Sequence, residues 1–318
     1  MKQVFYLIFA LLVASCNLPA FGTAPVPLST NTEIMVSPTE TDFPLPTLTE
    51  TIIPPTLTAT PTPCDPLIMD YCIGLGHFLF QRPIQPPDND MIDLTYAYAS
   101  TSNGKRDPHH GVEYQTPFGT SVFAAGDGTV VFAGDDKTIK FSPWANFYGN
   151  VIIIQHDGEM FTLYAHLSEV LVQVGINVKA GDEIGKVGAT GGATGSHLHF
   201  EVRKGSDFTD YFSTENPELW TIPPRGTGAI SITLLTNEIR NYERPLVVTR
   251  FAKGSDDILF TYYITSYTKG FEHHTEDAGL SGLPPGRYKI AFTGLDGLKE
   301  RIVFVEKEKL TEVVFDLR

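Results

Sequence analysis

No stretch of this chain repeats apolar residues at the helical interval over several turns. Its last two thirds are short β-rich runs broken by turn signals. Ser121–Ala125, Thr129–Ala133, Val151–Gln155, Met160–Tyr164 and His197–Val202 read as strands, with VVFA and VIII as sheet interiors. Asp127-Gly128 and Asp157-Gly158 are hairpin-type turn signals between them. Beyond about Thr221, six further runs alternate in character: Ile230–Leu235, Leu246–Phe251, Ile258–Thr265, Arg287–Phe292, Ile302–Val305 and Glu312–Leu317. The expected fold is all-β, with an antiparallel-sheet domain over 64–220, a site in its groove, and a small β-sandwich domain over 221–318.

The stretch GATGGATGSHLHFEV, residues 188–202, carries the chemistry. A strand period of two puts His197 and His199 on one face and Leu198 on the other. The small residues before them suit a close approach loop. A catalytic zinc commonly takes three protein ligands and keeps a fourth position open, so two histidines need partners from elsewhere. His109 and Glu113, in DPHHGVEY, and His166, in FTLYAHLSEV, are the candidates.

The ordered series HHGVE, GTSVFAAGDGTVVFAG, YGNVIIIQH, YAHLSEV and VKAGDEIGKVGATGGATGSHLHFEV resembles the lysostaphin-like (LytM-type) zinc endopeptidases of bacterial cell walls, over 108–203. The resemblance implies one Zn²⁺ per chain, held by His109, Glu113 and His199. It implies that His166 and His197 are the catalytic histidines; His197, on the same strand face as the metal ligand, can take a proton from water and His166 can serve the oxyanion or the leaving amine, and sequence does not assign the two roles apart. The implied substrate is peptidoglycan, in a stem peptide or a cross-bridge. Glu113 stands where the family has Asp, so the alternative is an inactive LytM-type module that binds wall or regulates another hydrolase. Tyr98 lies near the family's transition-state tyrosine, although packing is its expected role. GLSGLPPGRYKIAFTG is similar to prealbumin-like or carboxypeptidase-regulatory-like domains; it carries no catalytic constellation, and the C-terminal part is expected either to bind wall polymer or a protein partner or to serve as a stabilising module.

The N-terminus reads differently. Residues 1–15 have an early Lys and an apolar run too short to span a bilayer, the pattern of an export signal. Val13-Ala14-Ser15-Cys16 resembles a lipobox, which implies lipidation of Cys16 and a membrane-anchored lipoprotein facing the wall. Between residues 17 and 63, 24 of 47 residues are Thr, Ser or Pro and none is basic, so this segment cannot bury a core and reads as a disordered tether from Cys16. Cys64 and Cys72 then remain as an even pair in an exported protein, and a disulfide is expected.

The remaining histidines take bland readings. His110 points away from the site, His156 packs or hydrogen-bonds near it, His77 has no motif, and His273-His274 sit in an exposed turn. The net charge of −14 argues against nucleic acid as a partner.

Overall fold

The computed structural model describes residues 64–138, 141–237 and 243–318. The export signal, Cys16 and the tether lie outside these residues. The strands of the first half are Cys72–Gly74 (β1), Val112–Tyr114 (β2), Ser121–Phe123 (β3), Gly128–Asp135 (β4), Asn150–His156 (β5), Met160–Ala165 (β6), Leu167–Val170 (β7), Asn177–Val178 (β8), Glu183–Val187 (β9), Leu198–Lys204 (β10) and Thr214–Glu215 (β11). A single turn of helix, Pro217–Trp220 (α1), follows, started by Asn216, whose side chain accepts from Glu218 N. The second half holds Gly228–Leu235 (β12), Pro245–Phe251 (β13), Ile258–Thr265 (β14), Ala278–Leu283 (β15), Gly286–Gly294 (β16), Gly297–Val305 (β17) and Leu310–Asp316 (β18).

The larger sheet runs β11-β10-β6-β5-β4-β8, with β2 also paired to β10, and every pairing is antiparallel. Its centre explains the unbroken run VIII. Ile152 and Ile154 join Tyr164, Leu198, Phe200 and Val202 in one apolar cluster. Val151 and Ile153 join Tyr148, Phe161 and Leu163 in another, on the opposite face. Burial on both sides, at about 1.5–3 kcal/mol per large side chain, makes this sheet a stiff platform.

Asp157-Gly158 does turn β5 into β6, with His156 opposite Met160. Asp127-Gly128 does not join a hairpin. β3 leaves for a separate sheet, β3-β9-β7, and pairs with β9. Gly128 serves close approach instead, since a Cβ there would sit 2.2 Å from Gln155 O.

The C-terminal strands form two four-stranded sheets, β1-β18-β12-β15 and β14-β13-β16-β17, whose buried residues share one cluster. β12 and β18 pair in parallel, and β1, from the segment expected to open the first domain, pairs with β18. The Cys64–Cys72 disulfide closes the loop before it, with Cα atoms 5.7 Å apart.

Buried polar contacts tie these strands to the rest. Ser281 donates to the Glu218 carboxylate from its backbone N (2.6 Å) and its hydroxyl (3.1 Å), while Arg82 Nη2 donates to Ser281 Oγ. Burial pushes Glu218 up to about 7. His274 is not in an exposed turn. It is buried, with Nε2 2.9 Å from the Tyr98 hydroxyl and Nδ1 3.4 Å from Glu215, while its neighbour His273 faces outward. The two rings nevertheless lie 4.0 Å apart, because both residues belong to the one turn before β15.

Candidate metal centre

Strand pairing brings the candidate ligands together. His199 on β10 lies directly opposite Glu113 on β2 and, across its other edge, opposite Ala165 on β6. The residue after Ala165 is His166, held at φ 62°, where its backbone N donates to Tyr148 O. A non-glycine residue in the left-handed region costs of order 1–3 kcal/mol, and it turns this side chain toward β10. Gly111 is dictated by proximity: a Cβ there would sit 2.5 Å from Phe200 O and 2.8 Å from the His199 ring.

Three donor atoms converge. His109 Nε2 is 3.0 Å from Glu113 Oε1 and 3.2 Å from His199 Nδ1, and the last two are 3.3 Å apart. All three residues are buried. A tetrahedral ion with bonds of about 2.0–2.2 Å separates its ligands by about 3.3–3.6 Å, so the triangle needs little adjustment to hold zinc.

An acceptor on its far side orients each ring. His109 Nδ1 faces Tyr96 O at 2.8 Å, and a carbonyl can only accept, so the proton is on Nδ1 and Nε2 keeps its lone pair. His199 Nε2 donates to Glu201 Oε1 at 3.0 Å, which turns Nδ1 toward the other two donors. Glu113 is held well below the usual carboxylate range: burial opposes this, and the imidazoles of His109, His197 and His199 packed around it outweigh it. Its other oxygen lies 2.7 Å from His197 Nε2, so the longer side chain spans the donor triangle and His197 together.

Behind His199 lies a network that the sequence reading left out. Glu201 and Arg203 are both 0% exposed. Glu201 accepts from Arg203 Nε (2.7 Å) and from the Tyr148 hydroxyl (2.5 Å) as well as from His199. Arg203 also donates to Phe208 O, Phe141 O and Tyr148 Oη. Burial would raise Glu201, yet Arg203, His199 and Tyr148 bring it down to about 2. Against the opposing effect of burial, Glu113 and Glu201 together lift His199 to about 9, so a metal bound at Nδ1 would displace a proton from it.

A cleft of about 310 Å³ opens over the triangle, lined by Tyr96, Arg106, Trp144, Phe147, Thr194 and Tyr211 among others. His166 and His197 face each other in its wall with ring centres 4.8 Å apart. His166 Nδ1 donates to Thr190 O (2.9 Å), and burial, with His199 and His197 beside it, lowers its pKa to about 3. Of the two tyrosines preceding the first ligand, Tyr96 lines the cleft, stacked on His109 at 4.0 Å and 7°. Tyr98 is buried elsewhere, donating to Thr214 O. His110 turns to Thr214 and Tyr211, and His156 sits at the far end of β5, within reach of Asp127 O and Thr162.

The sequence profile described as peptidase family M23 matches residues 107–211, which contain all five candidate residues. This stretch is a peptidase family M23 domain. The C-terminal strands lie outside the matched residues. Among curated relatives, the M23 region is similar to "Peptidoglycan DD-endopeptidase ShyC" of Vibrio cholerae, 33% identical over 141 residues, covering 44% of this chain and 30% of that protein. It is also similar to "DD-carboxypeptidase/endopeptidase Mpg" of Neisseria meningitidis, 43% identical over 95 residues, covering 30% and 20%. The chain thus spans less than a third of the length of these relatives. Among solved structures, the catalytic domain of lysostaphin from Staphylococcus simulans is 31% identical, with 46% of this chain and 89% of that one covered and a TM-score of 0.30. A zinc-containing peptidase from Vibrio cholerae is 33% identical, with 39% and 36% covered and a TM-score of 0.32.

Proposed function

We propose that this protein is an exported, lipid-anchored zinc endopeptidase that cuts peptide bonds in peptidoglycan. The observation that carries the reading is the donor triangle of His109, Glu113 and His199, with each ligand imidazole oriented by an acceptor on its far nitrogen and two more imidazoles beside it. The M23 match and the named activities of the relatives support the substrate class. Cys16 as lipid anchor and 17–63 as tether rest on the sequence pattern.

Zinc bound by the triangle supplies a Lewis acid for the scissile carbonyl and a nucleophile at neutral pH. The protein's own groups do the rest. His166 is neutral, with its Nδ1 proton committed to Thr190 O, so Nε2 is the proton acceptor. His197 lies against acceptors on both sides, Glu113 Oε2 at 2.7 Å and Gly195 O at 3.0 Å, the setting of a proton donor to the leaving amine. Aromatic walls from Trp144, Phe147 and Tyr211 bind the peptide and exclude water.

The test is zinc stoichiometry and digestion of isolated peptidoglycan by residues 60–318, which form one compact unit. One zinc per chain and new amine termini, both lost in His199→Ala, are expected. A folded protein that takes up no zinc and leaves the wall intact would instead establish the non-catalytic module.

A further inference from the structure

We propose that Arg106 selects substrates that carry a free carboxylate two to three residues from the scissile amide. This rests on the peptidase reading above and adds what the cleft recognises. Arg106 lines the cleft, and its guanidinium carbon sits 4.7 Å from the Tyr96 ring centre. Tyr96 in turn stacks at 4.0 Å on His109, one of the three metal-site donors. Two short ring steps therefore separate the cation from the reacting centre, a reach of two to three residues of extended peptide at about 3.4 Å each.

The guanidinium is available. Among the described residues no carboxylate lies within ion-pair distance of it, and its side chain is exposed. Of the other charges lining the cleft, Glu113 is enclosed by three imidazoles and Glu201 is paired to Arg203, while Asp107, next to Arg106 in sequence, is exposed to solvent. Contact with Tyr96 fixes one face of the guanidinium and leaves its N–H edge open, the geometry for bidentate carboxylate binding.

The loop that carries Arg106 is built to hold a direction. Arg106 N donates to Thr101 O (3.0 Å), Gly104 N to Thr101 Oγ1 (2.8 Å), and the Tyr96 hydroxyl to Asp107 O (2.7 Å). The charge of the whole chain sharpens the need. At −14 the protein repels an anionic peptide, so a cation placed in the cleft gives local attraction where the field is otherwise unfavourable.

The experiment uses the purified full chain and two wall-derived peptides that differ only in whether the carboxylate two to three residues from the cleaved bond is free or amidated. The wild-type protein is expected to prefer the free form by about tenfold in kcat/KM, mostly through KM, as for one exposed charge-assisted contact. In Arg106→Ala the ratio of the two kcat/KM values falls to about one, and Arg106→Lys restores part of it. Zinc content, measured alongside, stays at the wild-type level. A wild-type protein that cuts both peptides equally, or an Arg106→Ala variant that keeps the preference, overturns the assignment while leaving the peptidase reading standing. Cleavage of neither peptide by a zinc-loaded wild type overturns that reading and this one with it.

Discussion

Replacing Glu201 with Gln tests whether the buried network behind β10 sets the strength of the metal site. Glu201 receives three donors, from His199 Nε2, the Tyr148 hydroxyl and Arg203 Nε, at 3.0, 2.5 and 2.7 Å. Gln matches its shape but replaces one acceptor oxygen with an NH₂ group, so at least one donor must face another donor. A hydrogen bond to a charged group is worth about 1.5–3 kcal/mol, and a buried pair broken on one side costs about 3–5 kcal/mol because the surviving charge is stranded. Arg203 is that stranded charge. On the metal side, losing the group that orients a ligating histidine weakens binding about 10- to 100-fold, or about 1.4–2.7 kcal/mol. Competition with a chromogenic chelator reads the zinc affinity, and denaturant unfolding of the metal-free protein reads the stability. The double variant Glu201→Gln/Arg203→Met separates the effects: with both charges gone, stability recovers relative to Glu201→Gln alone while zinc affinity stays low. Unchanged zinc affinity in Glu201→Gln would refute the orienting role, whatever happened to stability.

Two other outcomes follow from buried groups. Glu218 keeps its proton up to about pH 7 when folded and releases it near the ordinary value of 4.5 when unfolded, so stability falls as pH rises through that window. Glu218→Gln keeps an acceptor for Ser281 N and should unfold later than wild type at pH 8, by on the order of 2–3 kcal/mol, with little difference at pH 4.5; parallel stability curves would contradict this. His166→Ala and His197→Ala should both retain zinc and lose about 10²–10⁴ in kcat, and an amine leaving group of lower pKa should rescue the His197 variant more than the His166 variant; equal rescue would remove the division of roles.

The five residues that the structure gathers were legible because each sits in a short, well-spaced stretch, and because a strand of period two carries His197 and His199 on one side. The same period continues to Glu201 and Arg203, with Leu198, Phe200 and Val202 on the other face. The signal was therefore present, but alternating polar residues on a strand ordinarily mark a face in water. Here that face is covered by Phe141 and Tyr148, more than fifty positions earlier in sequence, and by Phe208 from the turn beyond the strand. Nothing local in HLHFEVR announces the cover. Tyr96 was missed for a local reason: a short 3₁₀ turn at Leu94–Tyr96 and a left-handed Ala99 break the extended geometry, so Tyr96 and Tyr98 do not share a face as strand neighbours would. In the C-terminal half, β15 reads AGLSGL, small residues that suggest a turn, and it becomes a strand only because β12 offers it an edge. The parallel pairing of β12 with β18 and the antiparallel pairing of β1 with β18 join segments that no local pattern links. The expected turn at Asp127-Gly128 was a glycine required for a different purpose. What local pattern conveys is which residues can share a face; what it lacks is which distant segment will cover that face, and at β10 that cover turns a row of polar side chains into the support of a metal site.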